Sequence, residues 1–352
     1  MLSVVDRQGY GQTAVELGIF VWGETDTRES RQCRQAKEIQ MKILLTGGSG
    51  SLGNALVDYF LTREYVQKVI VYSRDEYKHF LMKKRLGCDG YHGERVRWIV
   101  GDVRDRWRLE TALKDVDYVI HCAALKQIPV CEYDVMEAVN TNVNGAINVI
   151  DASITRGVKK CIAITTDKAV AAINAYGKTK ALSDSLFQNA NARGETIFAL
   201  VRYGNVSGSR GSVIPHWREE IKEGRKPVVT HEMMTRFWIT LDRAVEEILF
   251  ALEWAMGGET YIPKMPSYFL TDLAEAMGGY DVGDIRPGEK LSEDMILKTD
   301  ETYEAGDRYI VYPSVQWKEL RELANRKEIA YNSKFNKHWL TIEELKEKLK
   351  EV

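Results

Sequence analysis

From Met41 onward, short continuous apolar runs alternate with helical segments, and this rhythm limits the chain to few folds. "KILLT" precedes a helix near Leu52 to Arg63, and "KVIVYS" one near Glu76 to Leu86. "VRWIVGD" precedes a helix near Arg106 to Leu113, and "DYVIHCAA" leads through a loop to a long helix around Val135 to Arg156. "KKCIAITT" leads to a helix starting near Tyr176, and "TIFALVRYGN" closes the series. Runs too continuous for one-sided burial, separated by helices, predict a parallel sheet covered on both faces, a doubly wound α/β fold. After Asn205 the rhythm changes to helices near Val213 to Glu223, Leu241 to Met256 and Thr271 to Met277, separated by short extended pieces. The expected organisation is an N-terminal extension over residues 1–40, a dinucleotide-binding domain over 41–205, and a mainly substrate-binding lobe over 206–352 with some segments returning to the first domain. The closing "TIEELKEKLKEV" reads as an amphipathic helix capped by Thr341, with Glu344 three residues on.

The polar run "ETDTRESRQCRQAKEIQ" before Met41 carries no strand pattern. Residues 1–40 read as a loose extension or an unused upstream start; an added helix or partner-binding arm is the alternative. A net charge of -2 gives no basic excess for nucleic acid or an anionic membrane surface. Five cysteines without a CxxC pair, two of them in apolar strands, argue against a disulfide framework or a zinc site and for a reducing, cytoplasmic setting. No apolar run approaches the ~20 residues that span a bilayer.

"TGGSGSLG" follows the first strand and opens the first helix, with Gly47, Gly48, Gly50 and Gly53 in GxGxxG and TGxxGxxG spacings. Such glycines let backbone approach a pyrophosphate at a helix N-terminus. A plain glycine turn is the bland alternative. Where a carboxylate at the end of strand two favours NAD, this chain has Ser73 and Arg74, with Asp75 and Lys78 following. Arg74 suits a 2′-phosphate, which points to NADP; an exposed helix-start cation is the alternative. Asp102, after strand three, is placed for the adenine amine, with Val103 on the ring, although N-cap aspartates are common. Ala123 and Ala124 leave room for a nicotinamide ribose, and Lys126 can reach a substrate or cofactor oxygen.

"TTDKAVAAINAYGKTK", residues 165–180, holds the candidate chemistry. Tyr176 and Lys180 share a helix face, where the lysine can lower the tyrosine pKa and hold a ribose while the tyrosine deprotonates a hydroxyl. YxxxK alone is frequent by chance. Thr165, Thr166, Asp167 and Lys168 follow strand five, and strand C-termini are where such sheets bind ligands. A simple alcohol oxidation needs only the tyrosine and a hydroxyl; the extra acid and base suggest a second step, such as loss of water.

Taken with "VYSRDE", "GDVRD", "HCAALKQIPVCEY", "VRYGNVSGSRGSVIP", "MTRFWIT" and "IRPGEK", these motifs resemble the UDP-N-acetylglucosamine 4,6-dehydratases of the extended short-chain dehydrogenase superfamily. The likeness is to the short C5-inverting type of pseudaminic acid biosynthesis, from about Met41 to the C-terminus. Related dTDP-glucose enzymes carry Thr-Asp-Glu where this chain has Thr166, Asp167 and Lys168, and long membrane-anchored relatives generally carry methionine at the place of Tyr176. The resemblance implies that Tyr176, aided by Thr166 and Lys180, takes the 4-OH proton, that Lys168 removes the C5 proton and that Asp167 protonates the departing 6-OH. It implies NADP contacts at Ser49, Gly50, Ser51, Leu52, Gly53, Ser73, Arg74, Asp75, Lys78, Asp102, Val103, Cys122, Ala123, Lys126, Asn140, Thr141 and Val206. It implies UDP-sugar contacts at Lys126, Asn205, Arg210, Val213, Thr230 and Arg286, with Asn332, Ser333 and Asn336 a weaker match; for Arg210 and Arg236 a structural ion pair is the alternative. It also implies a homo-oligomer, dimer or higher, and no metal. The chain departs from the family's Asn-Pro-Ile-Asn-Leu-Tyr-Gly at Ala171, Ala172 and Ala175, beside the sugar. The rival readings are a UDP-N-acetylhexosamine 4- or 5-epimerase and a non-catalytic NADP-binding regulator.

Overall fold

The computed structural model describes residues 40–87, 91–313 and 328–352, so the expectations for residues 1–39 fall outside the described residues. Residues 41–352 form one compact unit. Its centre is a nine-stranded sheet. The first six strands are β1 (Met41–Thr46), β2 (Val66–Ser73), β3 (Val96–Val100), β4 (Tyr118–His121), β5 (Lys160–Thr166) and β6 (Ile197–Tyr203). They lie in the order β3-β2-β1-β4-β5-β6 and pair in parallel. That is the doubly wound arrangement expected from the sequence, with its topological switch between β1 and β4.

Both faces of the sheet are covered. Ile43, Leu45, Val69 and Val71 point to the face packed by Leu56, Val57 and Phe60 of α1 (Ser51–Leu61). Leu44, Ile70 and Tyr72 point to the other, against Leu109 of α4 (Arg106–Ala112) and Val149 and Ile150 of α7 (Gly145–Arg156). Each fully buried side chain of this size stabilises by about 2 kcal/mol relative to exposure. Helices α2 (Glu76–Leu86) and α3 (Tyr91–Arg95) lie between β2 and β3; Asp75 caps α2 and Gly87, at φ 59°, ends it. The helix expected over 135–156 is α6 (Val135–Val139) continued into α7 through a π-helical turn, Asn140–Asn144, and α5 (Ile128–Tyr133) precedes it. The helix that begins near Tyr176 is α8 (Ala175–Ala190).

Beyond β7 (Asn205–Val206) the elements are α9 (Val213–Lys222), β8 (Val228–Val229), β9 (Thr235–Ile239), α10 (Leu241–Trp254), β10 (Thr260–Pro263), β11 (Ser267–Phe269), α11 (Leu270–Ala276), β12 (Asp281–Val282) and β13 (Asp294–Ile296). β14 (Glu301–Ala305), β15 (Arg308–Tyr312), β16 (Tyr331–Asn332) and α12 (Ile342–Lys350) follow. β10 adds in parallel to β6, and β14 and β15 extend the main sheet as an antiparallel edge. A separate core of Ile214, Trp217, Met234, Trp238, Tyr268 and Leu345 organises the smaller sheets. The capping box at Thr341 and Glu344 is formed as the sequence indicated. Among the described residues no helix is long and apolar enough to cross a membrane.

Candidate functional site

β5 runs out into a single 3-10 turn, Asp167–Ala169, at the C-terminal edge of the sheet. Thr166 ends the strand; its Oγ1 accepts from Lys168 N (3.3 Å) and donates to Asp167 Oδ1 (2.8 Å). Lys168 Nζ donates to the same Oδ1 (3.0 Å) and to Asn205 Oδ1 (3.1 Å). Asp167 is only 1% exposed, and its Oδ2 has no hydrogen-bond partner among the described residues. Acid and base are thus locked in one short network, with one carboxylate oxygen left over.

The next helix brings Tyr176 to this network. Asn174 caps α8 by accepting from Gly177 N (2.8 Å), and a Cβ at Gly177 would lie 2.2 Å from Lys168 O. The helix therefore abuts the turn that carries Lys168. Burial pushes the Tyr176 hydroxyl up to about 12, while the Lys168 charge and a hydrogen bond with Thr166 pull the other way. Lys180 lies one helical turn on. Its Nζ donates to Ile164 O (2.8 Å). Burial lowers its pKa against the opposing charge of Asp184. Asp184 in turn accepts from Thr165 Oγ1 (2.7 Å) and from Arg202 Nη2 (3.4 Å). The cation whose charge opposes the rise in the Tyr176 pKa is Lys168.

Groups from late in the chain complete the cluster. Glu293 is 2% exposed, with Oε1 3.5 Å from Lys168 Nζ and 3.7 Å from Arg236 Nε. Ser333 Oγ accepts from Glu293 N and shares a 2.8 Å contact with Thr235 Oγ1. The "IRPGEK" segment grips the loop before α8: Lys290 Nζ donates to Val170 O (2.6 Å), and Asn174 Nδ2 donates to Gly288 O (2.8 Å). Thr230 Oγ1 and Arg286 N both donate to Glu289 Oε2, at 2.9 and 3.0 Å, so Thr230 and Arg286 converge while the Arg286 side chain stays exposed. Asn336 binds Met265 O (2.8 Å), and Asn332 binds Asp294 (2.6 Å).

The glycine turn after β1 is tight. A Cβ at Gly47, at φ 65°, would meet Ala123 backbone at 2.9 Å, and one at Gly53 would lie 2.3 Å from Gly48 O. Backbone packs closely around Gly47 and Gly53, a cradle that fits a pyrophosphate. Arg210 reaches across to it: its guanidinium donates to Ser49 O and its N–H to Ser51 Oγ (3.2 Å), while Lys126 Nζ donates to Arg210 O (3.0 Å). Leu52 follows in α1, and Val213 opens α9 three residues after Arg210. Ser73 Oγ donates to Ser49 Oγ (2.9 Å) and bonds the buried His79 (2.5 Å). Asp75 and Lys78 pair with each other (2.9 Å).

Arg74 lies 3.8 Å from Asp102 and 3.9 Å from Glu137. Arg104 takes both Asp102 oxygens and Glu137. Burial would raise the Asp102 pKa, but Arg104 and Arg74 hold it below the usual carboxylate range. Thr141 donates to Glu137 (3.4 Å), and Asn140 accepts from Asn144 (3.1 Å). Val103 is buried against Gly145, Cys122 follows β4 half-buried, and Val206 lies in β7.

Sequence reasoning did not single out Arg104, Glu137, Glu289 or Glu293. Arg104 stands inside the quoted "GDVRD", and Glu289 and Glu293 stand in or beside "IRPGEK"; those two motifs were the available signal.

The family profile described as "Polysaccharide biosynthesis protein" matches residues 43–313. A UDP-N-acetylglucosamine 4,6-dehydratase (inverting) of Campylobacter jejuni is 46% identical over 284 residues, 78% of this chain and 84% of that protein. A UDP-glucose 4-epimerase of Rickettsia bellii is 40% identical over 247 residues, 68% and 71% of the two chains. The crystal structure of Pen from Bacillus thuringiensis superposes with a TM-score of 0.82 at 34% identity, over 90% of this chain and 98% of that one. The profile match and these identities, carried on the same doubly wound sheet, show that this chain belongs to the polysaccharide biosynthesis protein family.

Proposed function

We propose that this protein is a nucleotide-sugar 4,6-dehydratase. It acts on UDP-N-acetylglucosamine and yields a UDP-2-acetamido-2,6-dideoxy-4-hexulose with inversion at C5. The observation that carries the reading is the Asp167–Lys168 pair, joined at 3.0 Å and set beside Tyr176. Ser49 to Gly53 would hold NADP, whose nicotinamide would accept hydride from C4 and, once reduced, return it to C6. Tyr176, helped by Thr166 and Lys180, takes the 4-OH proton. The resulting ketone acidifies C5–H, which Lys168 removes, and Asp167 protonates the 6-OH so that water leaves. Asn205 holds Lys168 in place, and Lys126, Arg210, Val213, Thr230 and Arg286 receive the UDP-sugar. The 46% identity to an inverting dehydratase supports the substrate and the outcome at C5.

Further parts of the reading rest on sequence. NADP over NAD follows from Ser73 and Arg74 at the end of β2, and the assignment divides the chain at Asn205 into a cofactor domain and a substrate lobe. A cytoplasmic homo-oligomer in the pseudaminic acid route belongs to the same proposal. The epimerase reading keeps a footing in the 40% identity to a UDP-glucose 4-epimerase. Incubation with UDP-N-acetylglucosamine in D2O, followed by NMR, separates the two. A product lacking the 6-OH, with deuterium at C5 and a 4-keto or hydrated centre, supports dehydration. Deuterium incorporation with the 6-OH retained overturns it.

A further inference from the structure

One proton serves two groups at the core of the site. On Lys168 it gives the ion pair seen here; moved from Nζ to Asp167, it gives the acid needed by the 6-OH and the free amine needed at C5. The pair's net charge is the same in both forms. The pair must keep that one proton to act, and the surroundings of Lys168 show what holds it there. Asp167 faces Nζ from its own turn, Tyr176 from α8, Tyr268 from β11, Arg236 from β9, Lys126 from the loop after β4, and Glu293 from the segment before β13. Of these, only Asp167 and Glu293 are carboxylates, and only Glu293 lies outside the shared hydrogen bond.

We infer that Glu293 is a positioning residue for the dehydration, its charge 3.5 Å from Lys168 Nζ keeping the shared proton on the Asp167–Lys168 pair. Glu293 is built for this. It is 2% exposed, Arg236 balances it at 3.7 Å, Ser333 fixes its backbone, and its Oε2 has no hydrogen-bond partner among the described residues. Burial comes first in lowering the Lys168 pKa, but Asp167 and then Glu293 outweigh it and leave the amine strongly basic. Burial raises the Glu293 pKa, opposed first by Lys168.

The inference rests on the dehydratase reading, and its test keeps the two apart. The full-length enzyme is assayed across pH with UDP-N-acetylglucosamine deuterated at C5, so that the Lys168 step limits. The active pair carries one proton, which it loses on the alkaline side. Glu293→Gln removes a negative charge from Lys168, so the alkaline limb of kcat/KM is expected to move to lower pH by about one unit or more. Glu293→Asp draws the carboxylate back by one methylene and is expected to move the limb in the same direction by less. It also decides the question if the glutamine variant fails to fold. A limb unmoved in both, whatever the fall in kcat, overturns the inference. Absence of dehydration by the wild type would instead reject the dehydratase reading.

Discussion

Replacing Ala171 with glycine is expected to stabilise the protein although it deletes a methyl group. Ala171 sits at φ 44°, one of two non-glycine residues at positive φ among those described. Its side chain is exposed, so removing it forfeits no burial. The segment has little freedom to relax, because Lys290 holds Val170 O and Gly288 O holds Asn174. A Cβ in the left-handed region costs roughly 1–2 kcal/mol. The freer unfolded chain of the glycine variant gives back about 0.4–1 kcal/mol. The net expectation is a gain of about 0.5–1 kcal/mol. Ala172→Gly is the control: it has the same composition, its φ is not positive, and it should lose about 0.5–1 kcal/mol. Urea unfolding read by linear extrapolation, with equal m-values, measures the difference. Equal destabilisation by both substitutions would refute the strain at 171. The family's asparagine at this place tolerates the same backbone region, so Ala171→Asn should share part of the gain.

Three further outcomes follow from the geometry. Asp167→Asn keeps an acceptor for Lys168 but has no proton for the 6-OH; dehydration should fall by roughly 10²–10⁴-fold while reduced nicotinamide accumulates under substrate, and undiminished water loss would contradict the assignment. His121 is buried against Thr46 Oγ1 at 2.7 Å, and burial lowers its pKa from 6.5 to about 3. Its contribution to stability is therefore present above pH 6.5 and lost as pH falls toward 3, by about 1.4 kcal/mol per pH unit. His121→Gln should flatten the acid side of a stability–pH curve by that slope. Arg308 holds the fully buried Glu247 at 3.0 Å, with Arg243 at 3.3 Å. Arg308→Met should cost about 3 kcal/mol in chemical denaturation, and adding Glu247→Met should recover much of it.

The parts of the fold that the sequence made legible are those whose information is local. Strands β1 to β6 are continuous apolar runs because both their faces are buried, and that needs no knowledge of partners. Asp167, Lys168 and Tyr176 could be grouped because strand, turn and helix follow within a dozen residues. Glu293 and Arg236 could not, because they reach the same point from segments sixty residues or more downstream, where the strands are two to five residues long and show little periodicity. The β14–β15 edge was likewise unread: nothing in "ETYEAGDRYIVY" tells that its partner is β10. Lys180 is mixed: its spacing from Tyr176 and from Asp184 is local, but the Ile164 carbonyl that accepts from it is set by packing.

The contact between Gly177 and the Lys168 carbonyl bears on how this site can vary. Gly177 is not at positive φ, so the backbone alone would accept any residue there. What forbids a side chain is a neighbour 2.2 Å from where its first carbon would be. The tyrosine and the glycine after it consequently act as one unit: the phenol reaches the acid–base pair only while the next position stays bare. A lineage could exchange Lys178, which is exposed, without touching the chemistry, but a single methyl at 177 would push the helix off the turn and separate Tyr176 from Lys168.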